Sequence, residues 1–420
     1  MHYEKYQLKN KTNVISVPLK DTQAVTVLVM FPLGSRYETD KMAGVSHYIE
    51  HLMFKGTKKR PNTLVLTREI DRLGAEYNAF TGKESTGYYI KVDSQYTETA
   101  VDILADMLFD SKFDAKEMER EKGPIVEEIR MYKDNPIMNI ENVFEGLMFK
   151  GCPLGRDIAG SEENVLGFKR SEVLDFKDKY YQPANMTVVV AGKVDDKTKK
   201  IIEQYFCSQN NLKRADKKFK EYKLCSEKKS ERIDVEEKVT DQVQLMLGFP
   251  GFKYGDKRTP IAGVMNTILG GTMSSRLFIQ IRERRGLAYL VRSGTESYRD
   301  AGYEYIRVGL EKKNINQAIA VIKQEIEKMI SKGPTARELR DAKTHVHGAL
   351  TLALEDSGFL ANYFANQALF ADKIKTPAEK MKEIEAVTAE QVQAVAKEVY
   401  KWNKVRIAII GNVIKDEIIF

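Results

Sequence analysis

The sequence predicts an α+β protein of two tandem homologous α/β-sandwich domains, each an antiparallel-rich sheet with helices packed on one face. Three observations carry that expectation. Short β-branched apolar runs alternate with helical patterns in the first half of the chain. Matching residues return in the second half at a constant offset of 218 or 219 positions. The length, 420 residues, exceeds what one hydrophobic core usually organises.

The elements of the first half follow in order. Val14-Ile15-Ser16-Val17, broken at Pro18, and Ala24 to Phe31, stopped by Pro32 and Gly34, read as strands. A helix is expected over 41–55, with Asp40 able to cap its start and Gly56 able to take the left-handed position past its end. A second helix opens at Thr63 and closes at Gly74. The Tyr-, Thr- and Val-rich stretch from Ala75 to Val92 reads as two strands turning near Thr81-Gly82-Lys83. Helices follow around 97–109, 115–132 and 138–149, then a strand at 186–191.

The duplication is carried by Phe31-Pro32 with Phe249-Pro250, Gly44-Val45 with Gly263-Val264, Tyr181 with Tyr400, and Gly192 with Gly411. It divides the chain into an N-terminal domain over 1–209, a Lys-rich solvated linker over 210–232, and a homologous domain over 233–420.

Composition excludes several classes. With 42% hydrophobic and 30% charged residues the chain reads as globular. No apolar run is long enough to span a bilayer, and the N-terminal residues carry no targeting pattern, so neither a membrane nor an exported location is expected and the cytoplasm is the default. The net charge of +7 is spread along the chain without an aromatic-interleaved basic patch, which argues against nucleic acid. Cys152, Cys207 and Cys225 lack metal-type spacing and read as free thiols.

Chemistry concentrates in Gly44-Val-Ser-His47-Tyr-Ile-Glu50-His51. On a helix His47 and His51 stand one turn apart on one face with Glu50 beside them. Two such imidazoles can share a Zn2+ ion at about 2.0–2.1 Å, and a neighbouring carboxylate can reach a water without ligating the metal. The plain alternative is two ordinary histidines on a half-buried face. The second half carries Asn266, Leu269 and Gly270 at the matching positions, so only the first copy can hold this metal. Tetrahedral zinc then lacks one protein ligand, and the acidic helix with Glu121, Glu127 and Glu128 is the best source. Glu121 and Glu128 share a face; spacing does not say which carboxylate ligates. Gly123-Pro124 interrupts that helix, and a kink there would turn Glu128 relative to Glu121. His345 and His347, two apart on a helix expected to open at the capping box Thr335 to Glu338, do not face one another and read as bystanders.

The H-x-x-E-H run, with a Glu 77 positions after the second His that itself lies seven after another Glu, resembles the pitrilysin family of zinc peptidases. Gly34 to Glu38, Asn78 to Thr86, Pro153-Leu-Gly-Arg156 with Gly160, and Arg282 to Tyr289 resemble family motifs in family order. The resemblance implies one Zn2+ per chain held by His47, His51 and Glu128, with Glu50 as general base and Glu121 orienting a ligand histidine. It further implies that Asn78 and Ala79 lie on the edge strand that pairs with substrate backbone, and that Arg282 and Tyr289 hold the substrate carbonyl. The implied activity is zinc-dependent hydrolysis of peptides or unfolded polypeptide segments. The implied partners are the peptide and a second chain, identical or paralogous. The rivals are a non-catalytic assembly subunit of the same family, which intact His47, Glu50 and His51 disfavour, and a closed structural zinc site, which the two-His-one-carboxylate donor set disfavours.

Overall fold

The computed structural model describes residues 1–207, 218–224 and 227–420. Cys225 and most of the first half of the expected linker lie outside the described residues. The chain forms two compact units, each assembled from three segments. The first takes Met1–Arg130, Arg156–Lys220 and Thr351–Thr376; the second takes Met131–Gly155, Glu221–Leu350 and Pro377–Phe420.

The first unit is built on β1 (Glu4–Gln7), β2 (Asn13–Pro18), β3 (Ala24–Phe31), β4 (Glu76–Thr81), β5 (Thr86–Asp93) and β6 (Thr187–Gly192), in the spatial order β1-β2-β6-β3-β5-β4. Among the described strands of this sheet only β2 and β6 pair in parallel. β3 and β6 are central and covered on both faces, which is why both read as unbroken apolar runs. One face buries Val25, Val27 and Val29 against helices that include Val45–Met53 and Thr97–Asp110. The other face, with Ile15, Val17, Leu28, Met30, Val189 and Ala191, is covered by the helix Ser357–Phe370 through Leu360, Ala361 and Phe364. Lys91 holds that helix's N-cap, Asp356, at 2.7 Å.

The second unit repeats the plan. β7 (Ile233–Glu237), β8 (Val243–Pro250), β9 (Ala288–Ser297), β10 (Gly302–Leu310) and β11 (Arg406–Gly411) lie in the order β7-β11-β8-β10-β9, which is the first sheet without β1. Here too the one parallel pairing, β7 with β11, joins the first and last strands of the repeat. One face buries Leu245, Leu247, Ile407 and Ile409 against helices of the second half. The opposite face, with Met246, Ala408 and Ile410, is covered by Ile140, Phe144 and Met148 of the helix Pro136–Met148. Each sheet thus has many helices on one face and, on the other, a single helix drawn from the far half of the sequence. Among the described residues no helix is long and apolar enough to cross a membrane.

Candidate metal centre

The helix that carries the motif is Val45–Met53, shorter than the expected 41–55. Asp40 does not cap it: Asp40–Met42 form a separate 3-10 turn, and Gly44 turns the chain at φ +97°. The cap is Glu38, whose buried carboxylate accepts from the backbone N–H of Gly44 and of Ser46, both at 2.7 Å. Burial pushes the Glu38 carboxyl up, and these backbone donors oppose the shift. A carboxylate on unpaired first-turn N–H groups also meets the positive end of the helix dipole. The entry is tight: a Cβ on Gly44 would meet the Ala159 carbonyl oxygen at 2.4 Å, and one on Gly160 would meet that of Ala43 at 2.3 Å. Asn164 adds hydrogen bonds to the carbonyls of Asp40 and Ala43. Several stretches singled out in the sequence therefore converge on the start of this helix. Gly56, with φ +115°, does adopt the positive-φ conformation expected beyond its end.

His47 and His51 project together, their rings 4.6 Å apart. The acidic helix runs unbroken from Ala115 to Asp134 through Pro124, so the Gly123-Pro124 pair does not divide it. Both residues sit on the exposed side, where the carbonyl that loses its partner faces outward. Glu121 and Glu128 consequently remain on one face, and both reach the histidines. Glu128 Oε2 lies 3.6 Å from His47 Nε2 and 3.3 Å from His51 Nε2. Glu121 Oε1 accepts from His51 Nδ1 at 2.9 Å, and its other oxygen meets Lys55 Nζ at 2.5 Å. Glu127 points elsewhere, to Arg130.

One ligand atom from each of His47, His51 and Glu128 lies within 4.8 Å of the others. Two imidazole nitrogens and a carboxylate oxygen with Nε2 atoms converging on one point fit a borderline divalent cation. Electrostatics agree. Burial, then the neighbouring His51, lowers the His47 pKa to about 4, leaving its nitrogens neutral. Burial also works against charge on His51, but Glu121 and Glu128 outweigh it and lift its pKa to about 9. These carboxylates favour the protonated imidazole of His51, and a cation taking Nε2 as a ligand would have to displace that proton.

Glu50 lies between the histidines in sequence and is partly buried. Burial pushes its carboxyl up, and a hydrogen bond from Thr81 Oγ1 to its Oε2 opposes this. Asn78 and Ala79 sit on β4, the outer strand of the first sheet; Asn78 Oδ1 accepts from Ala79 N–H at 2.9 Å. Arg282 and Tyr289 belong to the second unit, where the guanidinium lies 4.7 Å from the Tyr289 ring and Tyr289 is 73% exposed.

The second unit fills the matching place differently. Asn266 donates to Glu304 Oε2 at 2.5 Å, Thr295 Oγ1 donates to the same oxygen at 2.5 Å, and Tyr400 donates to Asn266 Oδ1 at 3.3 Å. Glu304 is fully buried, and burial lifts its pKa to about 7 against the pull of Thr295 and Asn266. Leu269 is buried, and Gly270 departs from helical geometry at φ −156°, ψ 15°.

Comparison with known proteins matches this architecture. Residues 13–162 match the model of the insulinase family, peptidase family M16, and residues 167–346 match the peptidase M16 inactive domain. A Bacillus subtilis protein named uncharacterized zinc protease YmxG is 33% identical over 94% of this chain and 95% of its own length. The chain belongs to peptidase family M16. A Streptomyces coelicolor M16 relative, also named an uncharacterized zinc protease, is 33% identical over 92% of this chain and 84% of its own. Among solved structures, a protease from Helicobacter pylori shares the fold, with a TM-score of 0.91 at 22% identity over 98% of this chain and 99% of that one. The M16 inactive-domain match falls mainly on the half that lacks both histidines.

Two residues of this M16 site have no place in the H-x-x-E-H pattern. Glu38 lies six residues before Gly44, the residue that precedes the helix, and no local capping rule reaches that far. Thr81 was legible in principle, because period-2 alternation puts it on the same face of β4 as Tyr77 and Ala79.

Proposed function

We propose that this chain is a zinc metalloendopeptidase acting on peptides or unfolded polypeptide segments, with one zinc ion on His47, His51 and Glu128 and Glu50 as general base. The observation that carries the reading is the convergence of ligand atoms from His47, His51 and Glu128, with the Glu50 carboxylate outside that cluster and held by Thr81. The donor set favours zinc, and relatives spanning nearly the whole chain are named zinc proteases. An ion bound there supplies Lewis acidity to the scissile carbonyl and to a water molecule.

The chain's own residues do the rest. Glu50 Oε2 is occupied by Thr81, and among the described residues Oε1 has no hydrogen-bond partner, so Oε1 is the atom that takes the water's proton and returns it to the leaving amine. Glu121 fixes His51 by accepting from its Nδ1, which aims Nε2 at the ion. The substrate adds to the free edge of β4 once Asn78 releases the Ala79 N–H. Main-chain pairing of that kind favours extended chains over folded proteins. The family resemblance gives Arg282 and Tyr289 the role of donors to the substrate carbonyl oxygen, and each such donor is worth about 10²–10³ in kcat. A second chain, identical or paralogous, completes the working assembly; sedimentation of active protein tests that.

The deciding experiment measures zinc per chain and hydrolysis of a denatured protein in wild type and Glu50→Gln. One zinc in both, with cleavage reduced about 10²–10⁴-fold in the variant, is expected. Stoichiometric zinc without cleavage in wild type sinks the hydrolytic reading.

A further inference from the structure

β4 is an edge strand on one side and the wall of the metal-bearing helix on the other. Its side chains alternate, and Tyr77, Ala79 and Thr81 face that helix. The Tyr77 ring meets Phe54, just past the helix end, at 6.3 Å; Ala79 is buried in the core beneath; Thr81, the last residue of the strand, donates its hydroxyl to Glu50 Oε2. Backbone pairing fixes Thr81 and the residue after it. Thr81 pairs with Thr86 across the hairpin, and the next residue, Gly82, donates to the Ser85 carbonyl at 2.7 Å and accepts from Ser35 N–H at 3.2 Å. Thr86 is itself tied to the Leu33 carbonyl at 2.9 Å. β-branching restricts χ1 further, so the hydroxyl is preset rather than recruited.

We infer that Thr81 is a positioning residue of the reaction: its hydroxyl ties down one oxygen of Glu50 so that the other faces the attacking water. The inference rests on the hydrolytic reading above and adds to it. It links strand and chemistry, because the strand that pairs with substrate is also the strand that orients the base. A misplacement of about 1 Å in such a group costs on the order of 10²-fold in rate.

The test uses the full-length zinc-loaded protein and compares wild type, Thr81→Val, Thr81→Ala and Thr81→Ser. The two variants without a hydroxyl lower kcat about 10–100-fold, with KM, zinc content and melting temperature unchanged, and Thr81→Ser stays within about threefold of wild type. Thr81→Ala guards against Val straining the edge. A readout independent of activity is the metal-free crystal structure of Thr81→Val, in which the Glu50 carboxylate leaves its wild-type rotamer. The inference is overturned, with the hydrolytic reading intact, if wild type cleaves peptide and either Thr81→Val keeps kcat within twofold or Glu50 stays in place without the hydroxyl. An inert wild type overturns both.

Discussion

The two units share a strand order, a parallel closing pair and a helix entering after the same Phe-Pro strand end, yet among the described residues only one gathers metal ligands. In the first, Val45–Met53 is a regular helix and its inward face is polar at His47, Glu50 and His51. In the second, Thr259–Asn266 runs into a π-helical turn over Thr267–Gly271, and the same face closes on itself as an Asn266–Glu304–Thr295 network. The comparison teaches that the sheet and its apolar framework are indifferent to the chemistry. Three side chains and a length of regular helix separate a candidate metal centre from a packed interior.

The sharpest way to break this contrast is to remove the matching polar side chain from each copy: a metal ligand from the first, a network member from the second. His51→Ala is expected to abolish zinc binding and lower hydrolysis at least about 10³-fold, whereas Asn266→Ala leaves zinc at one per chain and costs about 1–3 kcal/mol of stability. Metal analysis and denaturant unfolding of both variants check this. If Asn266→Ala released the metal, the two copies would not be chemically independent.

Glu304 gives the second unit its own signature. Its folded pKa, about 7, lies above the unfolded carboxylate value, so the folded state holds a proton that the unfolded state gives up. Its stabilising contribution is complete below about pH 4.5 and disappears as pH rises through 7, a loss of about 3 kcal/mol. Urea midpoints of wild type and Glu304→Gln between pH 5 and pH 8 test it; the variant should show a flatter dependence.

Rebuilding the histidines in the second unit should fail. A Cβ on Gly270 would meet Ser293 N at 2.8 Å and Ser293 Oγ at 2.9 Å. The double variant Asn266→His/Gly270→His is therefore expected to bind no second zinc and to lose about 1–3 kcal/mol. A second equivalent of bound metal would show that helix geometry does not limit the site. The smallest effect concerns the cap: Glu38→Ala should cost about 1 kcal/mol and weaken zinc binding through fraying of the first turn, while second-unit variants leave zinc affinity alone.

Much of this was legible in the chain. Strands with period-2 or continuous apolar patterns, such as Ala24–Phe31, stand where the pattern puts them, because their signal is local and their burial uniform. The H-x-x-E-H spacing places His47 and His51 together for the same reason. What escaped is non-local. Glu38 reaching past Asp40 to the helix start leaves no trace in any short window, and alternation along β4 gives the face Thr81 takes but not its meeting with Glu50 across 31 positions. Pro124 misled in the opposite direction: a helix interior penalises proline, but long-range packing of Met118, Ile125 and Ile129 holds this one together across it.

The exchanged covering helices bear on how the protein comes off the ribosome. Until residues near 370 have been synthesised, the outer face of the first sheet, with Leu28, Met30 and Val189, has nothing to lie against. Each such large apolar side chain forgoes about 1.5–3 kcal/mol while it waits. The first half cannot seal itself as a finished globule, and a truncated product ending near residue 209 should be a client for chaperones or a seed for precipitation rather than a small, independent metalloprotein.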